Sequence, residues 1–257
     1  MPLDPGSLPH DRGRSRTAVR TAVVWEVLRE ALAGLAADGD VVRVLDIGGG
    51  TGGFAVPLAE LGCEVIVVDP SPDALAALER RAAETGTAPL VTGVQGDTAD
   101  VLVLLGPASV DVVICHSVLE VVDDPADALA AIAATLRPGG FASILAANRV
   151  AAVVARVAAG RLADARALLA DPDGRSGPAD PLLRRFTMAG LEQLVVEAGL
   201  RPRASHGARV FVDVAPAALL DIDPRAVDDL IVLEHAAAAD PTYASIATAL
   251  HVLADQP

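Results

Sequence analysis

The 257-residue chain carries 34 acidic against 20 basic side chains, a net charge of −14, which speaks against a broad basic face for nucleic acid. Apolar residues make up 52%, mostly Ala, Val and Leu with only 2% aromatics, enough for a sizeable core in one large domain. No uninterrupted apolar run reaches the ~18 residues of a membrane span, and the Pro-, Asp- and Arg-rich start lacks the apolar core of a signal peptide. The expected setting is the cytoplasm, with no membrane partner. Cys63 and Cys115 both sit in apolar strand patterns and read as buried thiols. No Cys/His cluster has metal-ligand spacing, so no metal is expected.

Residues 1–15 combine three prolines, two glycines and mixed charge, and are expected to be disordered. From Ser15, a plausible N-cap, to Ala37 the spacing of Val19, Val23, Leu28, Leu32 and Leu35 predicts a helix stopped by Gly39. A β-branched run, Val41 to Leu45, leads into Asp46-Ile47-Gly48-Gly49-Gly50-Thr51-Gly52-Gly53 and then an amphipathic stretch, Phe54 to Leu61. That order is strand, glycine loop, helix. Its glycines permit close ligand approach, and the helix start offers free N–H groups to ligand oxygens.

Further apolar runs end at Val65–Val68 with Asp69, at Gln95-Gly96-Asp97, and at Val110–Cys115 followed by His116-Ser117-Val118-Leu119-Glu120. Ser71-Pro72 and Asp124-Pro125 mark helix starts. A helix then ends in Leu136-Arg137-Pro138-Gly139-Gly140, before the strand Phe141–Ala146. Alternating strands and helices imply a parallel sheet with helices on both faces and ligands at the strand C-termini. Residues 148–181 break the alternation: Arg149–Ala159 and Leu162–Ala170 read as short helices, followed by a Pro/Gly/Asp-rich loop. Thr187 to Ala198 predicts a helix, Val210 to Val214 a strand, Ala226 to Ala239 a helix and Ala249 to Ala254 a last strand.

The loop by itself fits two cofactor patterns. Gly48, Gly50 and Gly53 satisfy GxGxxG of dinucleotide sites, whereas Asp46, Gly48, Gly50 and Gly52 satisfy D-x-G-x-G-x-G. Asp69 suits a ribose diol in either. The ordered set VLDIGGGTG, VVDPS, GD, CHSVLE and LRPGG, over residues 40–147, resembles class I S-adenosylmethionine (SAM) methyltransferases. The NAD alternative lacks the Leu-Arg-Pro-Gly-Gly turn. The resemblance implies a doubly wound, seven-stranded, mostly parallel Rossmann-like α/β sheet in one domain, residues 16–257. It also implies an N-terminal helix and a helical lid at 148–181. SAM would be the cofactor and S-adenosylhomocysteine the product.

By that resemblance, Gly48, Gly49, Gly50 and Gly52 would pass beneath the amino-acid tail and ribose of SAM. Asp46 would orient the loop and favour the cationic tail, or cap the following helix. Asp69, with Pro70 beside it, would hold the ribose, and Asp97 and Thr98 the adenine. His116 would face the methionine end. No residue stands out as a general base, and a carboxylate acceptor would need none.

Outside the core, Arg20-Thr-Ala-Val-Val-Trp25, His116–Glu120, Asn148 and Gly207-Ala-Arg209-Val-Phe211 are similar to bacterial tRNA 5-carboxymethoxyuridine methyltransferases. Arg20 would then meet the SAM carboxylate, and Arg14, Arg16 and Arg209 an acidic substrate. Two departures bear on the acceptor. Val212 and Val214 stand where that family has His and Tyr, and Asp171-Pro-Asp-Gly-Arg-Ser replaces a lysine-rich stretch. Modified tRNA and a small-molecule carboxylate or hydroxyl therefore both stand as acceptors. A non-catalytic SAM-binding protein is the alternative of another class.

Overall fold

The computed structural model describes residues 16–35, 41–216, 218 and 225–257. The expected disorder of residues 1–15, the Ser15 cap and Arg14 fall outside the described residues. Helix α1 (Arg16–Leu35) precedes strand β1 (Arg43–Ile47), α2 (Ala55–Glu60), β2 (Glu64–Asp69), α3 (Pro72–Glu84) and β3 (Val91–Gln95). Then come α4 (Val101–Leu105), β4 (Val110–His116), α5 (Pro125–Thr135) and β5 (Leu136–Ala147). The insertion supplies α6 (Arg149–Ala158) and α7 (Leu162–Ala170). The chain closes with α8 (Met188–Glu197), β6 (Arg201–Ala208), α9 (Ala226–Ala238), α10 (Pro241–Ala244) and β7 (Ala249–Asp255).

The seven strands form one sheet in the order β3-β2-β1-β4-β5-β7-β6. The first five run parallel, and β7 lies antiparallel between β5 and β6. The fold is therefore the expected doubly wound α/β sheet. Order reverses between β1 and β4, the switch point at which such sheets open a ligand crevice.

Helices start where capping chemistry permits. Ser71 accepts from the Ala74 amide at 3.2 Å, Asp124 from Ala126 at 2.7 Å and Thr187 from Gly190 at 3.2 Å. Each satisfies an amide that has no partner inside its helix. Both sheet faces are covered. Leu129, Ile132, Leu191 and Val195 of α5 and α8 pack on one face. Leu28, Leu58 and Leu78 of α1, α2 and α3 pack on the other. Cys63 and Cys115 are buried and unpaired, with burial pushing the Cys63 thiol up to about 11.

Two expected elements differ. The Leu136–Gly140 turn is not separate from the strand: β5 begins at Leu136, and its pairing with β4 shifts register between Val110 and Val112. Gly139 supplies the positive φ of 83° that this irregularity requires. Residues 210–214 form no strand, and the last sheet position belongs to β6 instead. A buried acid is the cause. Glu234 of α9 accepts the amides of Val210, Phe211 and Val212 at 2.8, 2.9 and 2.8 Å, so no ladder can use them. Arg209, with φ 63°, makes the turn that presents those amides.

The expected outcome of Glu234→Ala is a loss of at least ~3 kcal/mol, since it leaves three inward amides without an acceptor. Urea denaturation should show Glu234→Gln retaining part of that stability through its remaining carbonyl oxygen.

Candidate functional site

The glycine loop is built from the end of β1. Gly48 donates to the Val68 carbonyl at 2.8 Å, keeping the loop beside β2. Gly48, Gly50 and Gly52 have φ of 65°, 55° and 80°, a region costly to other residues. The neighbours of each glycine separate their roles. A side chain at Gly48 would meet Val118 Cγ2 at 2.7 Å, one at Gly49 would overlap Asp46, and one at Gly52 would overlap Leu78. At Gly50 the space is open, with nothing nearer than 3.9 Å. Gly52 thus makes room for α3. Of these four glycines, Gly50 leaves a cradle that a Cβ would fill.

Asp69 holds this loop. One carboxylate oxygen accepts from Gly50 N–H and the other from Ser71 N–H, both at 2.9 Å. The cap of α3 is the Ser71 hydroxyl, and Asp69 ties the glycine loop to the start of that helix. Asp46 lies under the loop, 2% exposed, with Oδ2 lacking a partner. Burial, then the charge of Asp69, push its carboxyl up to about 7. It caps no helix: the N-cap of α2 is Phe54, without a side-chain bond.

A cleft of about 960 Å³ opens alongside, lined by Gly48, Asp69, Pro70, Asp97 and Thr98 among the expected residues. Asp97 accepts from the Ala99 amide at 2.8 Å, which shapes its turn. Leu102, Val103 and Val121 add exposed apolar wall, suited to a planar base. These side chains were not foreseen, although Val101–Leu105 is an apolar run directly after the Gly-Asp turn. The open Gly50 cradle, the orphaned Asp46 oxygen and the half-apolar cleft fit a cationic nucleoside such as SAM.

His116 does not line the cleft. Its Nε2 lies 2.8 Å from Ser143 Oγ, which in turn lies 2.9 Å from His251 Nε2. The Phe54 ring meets it edge-on at 4.7 Å, and Trp25 stacks on Phe54 at 4.8 Å. Desolvation first, and the positive charge of Arg209 second, lower its pKa to about 3, so the ring is neutral at physiological pH.

Arg16, Arg20 and Arg209 meet at the same edge of the sheet. Pairing of Ala147 and Ala208 with Ala249 puts the loop after β6 level with the C-terminal end of β5. Arg16 donates to the Val212 carbonyl at 2.9 Å, and Arg20 pairs with Asp213 at 2.5 Å. Arg209 Nε donates to the Arg20 carbonyl at 3.4 Å. Asp213 also accepts from the Thr248 hydroxyl at 2.7 Å. This acid between Val212 and Val214 was not singled out in the sequence.

Glu120 was likewise read only as part of its motif. It is buried, accepts from the Ala147 amide at 2.6 Å, and its carbonyl receives Leu183 N–H at 2.8 Å. It clamps the β4–α5 loop to the end of β5 and to the chain returning from the insertion. Burial raises its pKa. Among the described residues, no group of His, Cys, Asp and Glu is arranged to hold a metal, and no helix is long and apolar enough to cross a membrane.

Comparison with known proteins agrees with this geometry. A family described as "Methyltransferase domain" matches residues 45–144. The chain is 30% identical over 205 residues to tRNA 5-carboxymethoxyuridine methyltransferase of Escherichia coli (strain K12), covering 78% of this chain and 75% of that protein. It is 36% identical over 120 residues to ubiquinone biosynthesis O-methyltransferase of Cupriavidus pinatubonensis, covering 47% and 45%. A SAM-dependent methyltransferase structure from Mesorhizobium loti superposes with a TM-score of 0.59 at 19% identity, covering 94% and 100%.

The histidines generate a pH prediction. Folded His116 stays neutral to about pH 3, while the unfolded ring protonates near 6.5. The unfolded chain therefore binds the extra proton, and stability present above pH 6.5 falls as the pH drops. The loss is about 1.4 kcal/mol per pH unit per ring. Asp46, raised to about 7, acts in the opposite sense and is penalised as pH rises from about 4. Denaturant unfolding between pH 6 and 4.5 should give His116→Asn a slope shallower than the parent's by about one proton.

Proposed function

The chain belongs to the SAM-dependent methyltransferases, and from that premise we propose that it methylates an anionic oxygen acceptor, first the carboxylate of a modified tRNA wobble uridine. The observation that carries this reading is the meeting of Arg16, Arg20 and Arg209 at the ends of β4 to β7. Arg20 and Arg209 lie far apart in the chain, and the packing of α1 on the 209–213 turn brings them together. Guanidinium groups suit carboxylates through paired N–H donors.

In this reading Asp69 and Pro70 hold the ribose and Asp97 and Thr98 the adenine, over β1 to β3. Gly48, Gly49 and Gly50 carry the tail. The methyl group then points across the switch point toward β4 and β5, with Arg20 kept for the SAM carboxylate and Arg16 and Arg209 for the acceptor. SAM supplies that methyl on a positively charged sulfur, a strong leaving group. The chain's own task is to position an acceptor in line and exclude water. A carboxylate needs no general base, and none is assigned. The 148–181 insertion springs from Asn148 at the end of β5, and we assign it the covering of the acceptor.

A specific observation favours a second reading. Asp213 already neutralises Arg20 at 2.5 Å, in a chain of net charge −14. Both facts favour a small carboxylate or hydroxyl acceptor over a polyanion.

Two experiments test this. Methyl-labelled SAM incubated with the protein and host tRNA should yield label in tRNA that mild alkali removes. Label confined to small molecules selects the second reading, and SAM binding without turnover on either fraction contradicts catalysis. Separately, Gly50→Val should abolish calorimetric SAM binding while costing about 1–2 kcal/mol of stability for its left-handed backbone. Unchanged affinity would remove the loop from the cofactor site.

A further inference from the structure

A second cavity, of about 500 Å³, lies on the other side of the glycine loop, lined by Thr51, Ala77, Arg80, Arg81, Glu84 and Thr85. Arg43, Arg137, Arg161, Arg185, Arg201 and Arg203 each have a carboxylate partner. Arg80 and Arg81 have none among the described residues, yet both line one cavity. Two cationic side chains lining one space favour an anion there.

The remaining wall narrows the ligand. Thr51 stands between Gly50 and Gly52 and lines this cavity, offering a hydroxyl. Thr85 Oγ1 already donates to the Arg81 carbonyl at 3.1 Å, so it offers a ligand only lone pairs. Glu84 faces the same space. It disfavours a bare polyanion and accepts from a hydroxyl or amine. The volume lies within the range of small-ligand pockets.

We propose that this cavity is an anion site for a small phosphomonoester, with Arg80, Arg81 and Thr51 on the phosphate and Glu84 on a neighbouring hydroxyl or amine. Thr51 directly follows Gly50, whose amide Asp69 accepts, so occupancy here restrains the loop that Asp69 holds. Ligand at one site therefore changes affinity at the other, reciprocally. The assignment stands apart from the choice of acceptor.

Calorimetric titration of the full chain at fixed ionic strength tests it, using inorganic phosphate and glycerol 3-phosphate as probes. Saturable binding is expected, tighter for glycerol 3-phosphate. It should weaken at least tenfold in an Arg80→Gln/Arg81→Gln variant and severalfold in Thr51→Val. Circular dichroism and S-adenosylhomocysteine binding of the double variant check its fold separately. Saturating glycerol 3-phosphate should shift the parent's S-adenosylhomocysteine affinity at least threefold. No saturable binding, or binding that survives the double substitution, overturns the site. Binding of a short RNA oligonucleotide but of neither small probe overturns the ligand class. An unshifted S-adenosylhomocysteine affinity overturns the coupling.

Discussion

The Asp69 carboxylate, gripping Gly50 N–H with one oxygen and Ser71 N–H with the other, is the constraint on which the ligand edge depends. It sets three left-handed glycines into one loop and fixes where α3 begins. Because both grips leave lone pairs on the oxygens, the same carboxylate can still accept from a ligand on the cleft side. Asp46 is the complement: buried, orphaned at Oδ2, and raised to about 7. A buried acid without a partner is costly, and a nearby positive charge offsets that cost. The two acids together place negative charge at the loop, and the methyl donor that we propose seats there is a cation.

The other half of the edge is organised by a different acid. Glu234 takes three consecutive amides, and this capture turns the chain at Arg209 and brings Asp213 against Arg20. Structure far from the glycine loop thereby sets the partner of Arg20. A turn held by one carboxylate can change acceptor preference without altering the sheet, because its residues contribute nothing to the ladder. Fold and acceptor are in this sense separately specified.

Much of the sheet was legible in the sequence because its central strands are buried on both faces and read as apolar runs closed by Gly, Asp or His. The caps at Ser71, Asp124 and Thr187 were legible for the same local reason. Strand β6 was not: Arg201–Ala208 is an edge strand whose exposed residues carry no apolar alternation. Val210–Val214 looked like a strand by composition, but a glutamate from α9 overrode propensity. The glycine loop and its acids stand out in the sequence, whereas which of the acids holds the loop does not. That Gly52 yields to Leu78 and that His116 turns toward Ser143 are facts of packing between elements distant in the chain. Asp213 escaped notice for the same reason, its partners Arg20 and Thr248 being visible only once folded.

The most direct test of the account is the affinity of Asp69→Asn for S-adenosylhomocysteine, measured by calorimetry and followed in parallel by the fluorescence of Trp25, the one tryptophan in the chain. Asparagine can accept only one of the two amides and turns an NH2 toward the other, loosening the loop and losing a carboxylate from the cleft. The account predicts affinity reduced at least thirtyfold in a protein that keeps its circular dichroism. Affinity unchanged from the parent would contradict it, because the loop and its ligand would then not depend on the carboxylate that holds them.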